Sequence, residues 1–360
     1  MDKLIKAREI INETDKQIAA LFEKRMEAVK MVAEYKKERG LPVFDSSRED
    51  LVIKNNLKNI EDDEIKEFYV PFIRSTMDIS KRFQHRIMEG VNIAYSGVEG
   101  AFAHIAAGRI FPDGNRISYP DFKAAYEAVE KGECDCAVIP IENSRAGEVG
   151  QTIDLLFSGS LYVNGVYSLD VRHNLIGLPG TKEDDIKEVI SHQQALDQCA
   201  SYIRNQGYKS KSCENTARAA KYVADSGNPS LAAIASRETA ELYGLSVIRE
   251  NINEASNNTT RFVVVTRTLC KEKRDHSIIV FTVPDKAGAL AHAINVIGHH
   301  GYSMRSIKSR AMKDLMWTYY FYVEITGDLQ SKRGMYMLDE LSECCDKLKM
   351  IGTFKDNCKI

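Results

Sequence analysis

The run from Asp2 to Arg39 limits what this chain can become more than any other stretch. Apolar residues recur there at heptad-like spacing, at Leu4, Ala7, Ile11, Ile18, Leu21, Ala28, Val32 and Tyr35, until Gly40 and Pro42 end the pattern. As one helix the run spans roughly 55 Å. A compact domain of about 90 residues measures only about 26 Å across. The stripe cannot be buried within its own domain, so the segment reads as an all-α helical bundle intertwined with a second copy.

The seam is not apolar throughout, because Thr14 and Arg25 occupy two of its positions. A charge on a packed stripe is costly unless paired. Arg25 therefore marks a register residue, a salt bridge across the dimer or an anion site. Its neighbours favour the anion site. Lys36 lies about 20° round the helix from Arg25, on the same face, with Val32 between them. Arg8 lies about 100° off that face and would reach a pocket on the partner chain. A second helix, "SSREDLVIKNNLKNI", takes Ser46 or Ser47 as its cap, and Asp45, Arg48 and Glu49 cluster at its start. The third helical run carries Ser80 and Gln84 one turn apart, and Pro71 is expected to break off a short lead-in helix. Cations, two carboxylates and an amide round one pocket suit a small dicarboxylate.

Length and composition narrow the rest. A chain of 360 residues holds two or three domains. With 44% hydrophobic and 28% charged residues it reads as a soluble globular protein, and a net charge of −2 gives no pull toward nucleic acid or membrane. No apolar run reaches the roughly 18 residues needed to span a bilayer. The opening "MDKLIKAREI" lacks a signal-peptide pattern. The eight cysteines include Cys134 with Cys136 and Cys344 with Cys345, neither a zinc nor a thioredoxin spacing, and read as reduced thiols of a cytoplasmic protein. Walker, G-x-G-x-x-G and H-E-x-x-H motifs are absent.

Three segments follow: residues 1–88 helical, 91–268 alternating, and 275–360 beyond the charged linker "KEKRD". In the second, short β-rich runs such as "VNIAY", "CDCAVIPI" and "TRFVVVTR" alternate with helical ones, which predicts α/β units with mostly parallel sheets in two lobes. Clefts at strand ends hold ligands. Polar groups gather at such junctions: Glu142, Asn143 and Ser144; Ser191, His192 and Gln194; Thr216; Thr260 and Arg261. Hydroxyls and amides at helix starts cap the helix or bind anions. The third segment reads βαββαβ, the ferredoxin-like order, with Gly288 at a strand-to-helix turn.

Residues 1–88 resemble the all-helical chorismate mutase family through Arg8 and Asp15 (R-x6-D), Arg25, Lys36, Asp45-x-x-Arg48-Glu49 and Ser80-x-x-x-Gln84, in family order. The resemblance implies the intramolecular Claisen shift of chorismate to prephenate. No proton moves in that reaction; the enzyme holds the chair-like conformer and stabilises charge growing on the ether oxygen. Arg25 and the partner subunit's Arg8 would bind the carboxylates, and Lys36 and Gln84 the ether oxygen. Arg48 would bind a carboxylate or support the pocket, Glu49 the ring hydroxyl, with Asp45 and Ser80 completing the lining.

The second segment resembles prephenate dehydratase through "GVEGAFAH", "PIENS", "SHQQAL", "NTARAA", "YGL" and "TTRF", with Ala103 and Gln193 where Ser and Pro are usual. The resemblance implies a two-lobed, periplasmic-binding-protein-like domain that removes water and CO2 from prephenate without a cofactor. Thr260 would donate to the leaving hydroxyl, and Arg261 would orient a carboxylate directly or through its neighbours. Asn143, Ser144, Ser191, Gln194 and Thr216 would complete the pocket. The third segment resembles the ACT domain through D-x-x-G-A-L, which implies an amino-acid sensor read across a dimer interface. Its phenylalanine site would use Gly288, Ala289, Leu290, Ser303, Ser309 and Arg310. The family's "ESRP" is here "KSRA", from Lys308 to Ala311. Together the resemblances imply both activities on one chain, a homodimer or homotetramer, and phenylalanine as effector. Arogenate as the second substrate, or a non-catalytic amino-acid sensor, are the other readings.

Overall fold

The computed structural model describes residues 3–44, 46–255, 257–312, 319–356 and 358–360. The chain forms two compact units, Met1–Asn92 and Ile93–Ile360.

The first unit holds α1 (Lys3–Arg39), α2 (Ser46–Leu57) and α3 (Asp63–Glu89). Helix α1 stops at Gly40, which takes φ 62°, and Lys36, Lys37 and Arg39 in its last turn complement the helix dipole. Asp62 caps α3 by accepting from the Glu64 N–H at 2.9 Å. The expected break at Pro71 does not occur; α3 runs straight through it. Pro71 sits on the exposed face, where water can satisfy the carbonyl that loses its N–H partner. Ile53, Ile73 and Met77 make a small core. Residues 3–24 of α1 are all exposed, among them Ile11 at 56% and Leu21 at 66%. One copy of the chain leaves the apolar stripe bare.

The second unit begins with β1 (Asn92–Ser96), α4 (Phe102–Ile110), β2 (Asn115–Tyr119), α5 (Phe122–Lys131), β3 (Cys136–Asn143), β4 (Gly147–Glu148), α6 (Gly150–Ser158) and β5 (Tyr162–Asp170). The chain then crosses into a second lobe. This lobe comprises β6 (Asn174–Gly177), β7 (Glu188–His192), α7 (Gln193–Gln198), α8 (Ala200–Gln206), β8 (Lys209–Cys213), α9 (Thr216–Ser226), β9 (Leu231–Ala235), α10 (Arg237–Leu242) and β10 (Ser246–Arg249). It returns as β11 (Thr259–Thr266) between β5 and β3. The sheets are mixed rather than mostly parallel. Strand β11 is antiparallel to both neighbours, and β6 to both β9 and β10, because the chain leaves and re-enters the first lobe. The lobes meet tightly at Gly100, φ 84°, where a Cβ would stand 3.1 Å from Leu242 and 3.3 Å from Thr239.

The remaining elements are β12 (His276–Thr282), α11 (Ala289–His299), β13 (Ser303–Ala311), β14 (Tyr319–Thr326), α12 (Lys332–Glu343), β15 (Lys347–Phe354) and β16 (Cys358–Lys359). Their order β13-β14-β12-β15 is ferredoxin-like. Strand β15 pairs parallel with β5 at Gly352 and Val163, and β16 pairs with β5 at Tyr167 and Ser168. The three segments read from sequence therefore make two compact units, since the last two share an eleven-stranded sheet. Among the described residues, no helix is long and apolar enough to cross a membrane.

Candidate active sites

In the first unit Arg25, Lys36, Arg48, Glu49, Ser80 and Gln84 line one cavity of about 280 Å³, with Val32, Val43, Val52 and Met77 as its apolar wall. The spacing on α1 does place Arg25 and Lys36 together. Arg25 donates to the Ser80 hydroxyl, and Ser80 donates on to the Thr76 carbonyl at 2.8 Å. Burial lowers the Arg25 guanidinium below its ordinary value, opposed by Tyr69. Lys36 donates to the Val43 carbonyl at 2.7 Å. Neither cation is paired with a carboxylate among the described residues. Glu49 is held by Lys81 at 2.8 Å, and Gln84 Oε1 is buried without a partner. Arg8 is exposed and does not line this cavity; Asp45 lies outside the described residues, as do the side chains of Ser46 and Ser47.

In the second unit a cavity of about 480 Å³ lies between the lobes, at strand ends and helix starts. Asn143, Gln194, Thr216 and Thr260 line it. Ser144, Ser191 and Arg261 do not. Ser144 donates to the Asn257 carbonyl at 2.9 Å, tying loop to loop. Ser191 is fully buried and donates to the Ile234 carbonyl at 2.6 Å across the sheet. Arg261 follows from strand alternation: Thr260 and Phe262 face the cleft, so Arg261 faces away. It pairs with Glu142 at 3.0 Å and with Glu324 of β14 at 2.9 Å. Burial opposes the Arg261 charge, but the bonds from Glu324 and Glu142 outweigh it and raise the guanidinium above its ordinary value. Removing Arg261 would strand the nearly buried Glu324 carboxylate. Arg261→Ala is therefore expected to destabilise this unit by about 3–5 kcal/mol, read as a melting temperature lower by roughly 10 °C while mutase activity persists.

Backbone geometry fixes the direction of hydrogen bonding at Thr260. Asn143 Oδ1 accepts from the N–H groups of Arg145 at 3.0 Å and Ala146 at 2.9 Å, so its other end must be the amide N. That nitrogen donates to Thr260 Oγ at 2.9 Å and to Asn258 Oδ1 at 3.0 Å. Thr260 thus accepts from Asn143 and keeps its own hydrogen for the cleft. Asn258 Nδ2 donates to Gln198 Oε1 at 2.8 Å, and His173 Nε2 lies 2.9 Å from the same oxygen. Sequence reasoning missed Asn258, Gln198 and His173. Gln198 sits one helical turn from Gln194, a spacing that flags it; His173 and Asn258 lie in the crossing segments, which carry no periodic signal.

In the C-terminal module Gly288 caps α11 at φ 83°, with nothing within 4 Å of where a Cβ would stand. Ser303 and Ser309 are exposed on β13, and Leu290 packs on the module's core. Ala289 donates its N–H to the Lys286 carbonyl at 3.1 Å. Arg310 is taken up by Glu148 at 2.7 Å and Asp154 at 2.9 Å of the first lobe, and Lys308 by Glu142 at 2.8 Å.

Comparison with known proteins follows the same division. Residues 7–85 match chorismate mutase type II, 93–269 prephenate dehydratase and 276–334 the ACT domain. A bifunctional chorismate mutase/prephenate dehydratase of Enterobacter agglomerans is 30% identical over 98% of this chain and 95% of its own length. The chain belongs to the bifunctional chorismate mutase/prephenate dehydratase family. It is an enzyme of phenylalanine biosynthesis, with an isomerase and a lyase on one polypeptide. An Arabidopsis thaliana protein named arogenate dehydratase/prephenate dehydratase 1 is 34% identical over 73% of this chain and 72% of its own. The crystal structure of an Arthrobacter aurescens prephenate dehydratase in complex with L-Phe covers 74% of this chain and 90% of its own, at 26% identity and a TM-score of 0.68. Its likeness and that of the family support the two-lobed fold with an ACT module.

Proposed function

We propose that the cavity of the first unit rearranges chorismate to prephenate and that the cleft of the second converts prephenate to phenylpyruvate, in the cytoplasm and without a cofactor. The observation that supports this reading is the pair of cations, Arg25 and Lys36, lining one cavity with no carboxylate partner among the described residues. Such a cavity awaits an anion. Arg25 and the partner subunit's Arg8 take the two carboxylates, with Arg48 in support. Lys36 and Gln84 donate to the ether oxygen, Glu49 accepts from the ring hydroxyl, and Asp45 and Ser80 complete the lining. The bare stripe of α1 supports a two-chain bundle, which a homodimer or homotetramer supplies. In the cleft Thr260 donates to the departing hydroxyl, and Asn143, Gln194 and Thr216 hold the substrate. Ser144, Ser191 and Arg261 act on the pocket through the loops and strands they fix. In the C-terminal module the open Gly288 turn, with Ala289, Leu290, Ser303 and Ser309, forms the phenylalanine site. Arg310 supports that site from its bond to the first lobe.

The test is a spectrophotometric assay of the purified protein with chorismate, then prephenate or arogenate, with and without phenylalanine. Consumption of chorismate with phenylpyruvate as final product, slowed by phenylalanine, is the expected outcome; inert chorismate refutes the first assignment. The shared pocket has its own test. Arg8→Ala and Arg25→Ala chains are each expected to be inactive as mutases. Mixed under subunit exchange, they should regain about a quarter of wild-type activity, because half of the dimers then carry one intact site. No recovery would place Arg8 outside the site.

A further inference from the structure

The dehydratase step consumes a proton that Thr260 cannot supply alone, because a threonine alkoxide is too basic to be left behind. One nearly fully buried titratable group stands on the cleft wall with a nitrogen to spare. His173 lines the cleft beside Asn143 and Thr260, is 3% exposed, and its Nδ1 is buried without a partner. The amide relay from Asn143 requires Gln198 Oε1 to be an acceptor, so His173 Nε2 carries a hydrogen. Other titratable groups on the wall are engaged. Asp121 caps α5, Glu214 pairs with Arg218, and His192 accepts from the Gln194 N–H.

We propose that His173 is the proton donor of the dehydratase reaction, its imidazolium Nδ1–H passing a proton to the departing ring hydroxyl. The proposal rests on the dehydratase reading above. The step balances: the ring carboxylate leaves as CO2, its C–C electron pair enters the ring, and the C–O bond breaks. The oxygen takes the His173 proton and leaves as water. Neutral His173 regains a proton from solvent afterwards. Burial holds the imidazole below its ordinary value, opposed by the Gln198 bond. Phe102 of α4 meets the ring edge-on at 5.9 Å, Gln198 of α7 bonds its Nε2, and Asn253 accepts its backbone N–H at 3.0 Å. None of these is charged, so the substrate's two carboxylates bring the charge that raises the imidazole.

His173→Gln keeps an N–H for Gln198 and removes the titrating nitrogen. In the full chain it is expected to lower dehydratase kcat about 100-fold, leave the mutase rate unchanged, and erase the limb of the wild-type profile that falls as pH rises. In the wild type that limb should lie at higher pH in kcat than in kcat/KM, because bound substrate raises the imidazole. An undiminished rate, or a reduced rate with the limb intact, overturns the proposal. Nitrogen NMR of histidine-labelled wild-type protein does not depend on the variant folding: a neutral His173 protonated on Nε2 supports the proposal, and the opposite tautomer overturns it. A wild-type protein that makes no phenylpyruvate from prephenate would instead refute the dehydratase reading.

Discussion

Lys36→Ala should remove about 10²–10³-fold of the mutase rate, the value of one positioned donor at a developing oxyanion, and leave the helical unit folded. The Claisen shift needs no acid or base, so its acceleration must come from conformer selection and from charge placed where the ether oxygen becomes negative. Lys36 is suited to the second task. It reaches the cavity from the last turns of α1, its ammonium is steered by the Val43 carbonyl, and among the described residues no carboxylate neutralises it. The structural cost of the change is small, because Lys36 contributes one hydrogen bond, worth about 1 kcal/mol net. Circular dichroism should therefore be unchanged. Dehydratase activity with prephenate supplied directly should also be unaffected. A mutase loss of only a few-fold would remove Lys36 from the ether-oxygen role.

Thr260→Ala is expected to have an effect of similar size on the other reaction and none on the mutase. Asn143 is locked by two backbone N–H groups, so Thr260 accepts from it and offers its own hydrogen to the cleft. The alanine variant loses that donor. Asn143 keeps Asn258 Oδ1 as a partner, so the surrounding relay stands. Phenylpyruvate formation should fall by about 10²–10³-fold, and Thr260→Ser should retain most of it. Equal loss of both activities would indicate a folding defect.

Much of this molecule was readable from its residues. Gly40 stops α1 where the pattern ends, and the βαββαβ order of the last segment is visible in its alternation of strand and helix runs. The mutase cavity was readable because helical periodicity assigns a face to every residue: Arg25 and Lys36 fall on one side of α1. The dehydratase cleft was less so. Strand parity decides whether Thr260 or Arg261 faces the ligand, and parity depends on a register that only the assembled sheet defines. Ser191 looked like a ligand group at a strand end, yet β7 is an inner strand and its hydroxyl is spent on a neighbouring carbonyl. Pro71 does not break α3, because one missing hydrogen bond on an exposed face does not stop a helix that is otherwise well packed.

The seam at β5 has a consequence for anyone who would dissect this enzyme. Gly352 lies so close to Val163 that a methyl group there would overlap the Val163 carbonyl, and β16 continues the cover at Tyr167 and Ser168. The ACT module is thus not a detachable cap. A chain cut at the charged linker would bare one side of β5 while its other side stays bonded to β11. Raw strand edges recruit neighbouring chains, so such a fragment is expected as an aggregate rather than as a deregulated catalyst.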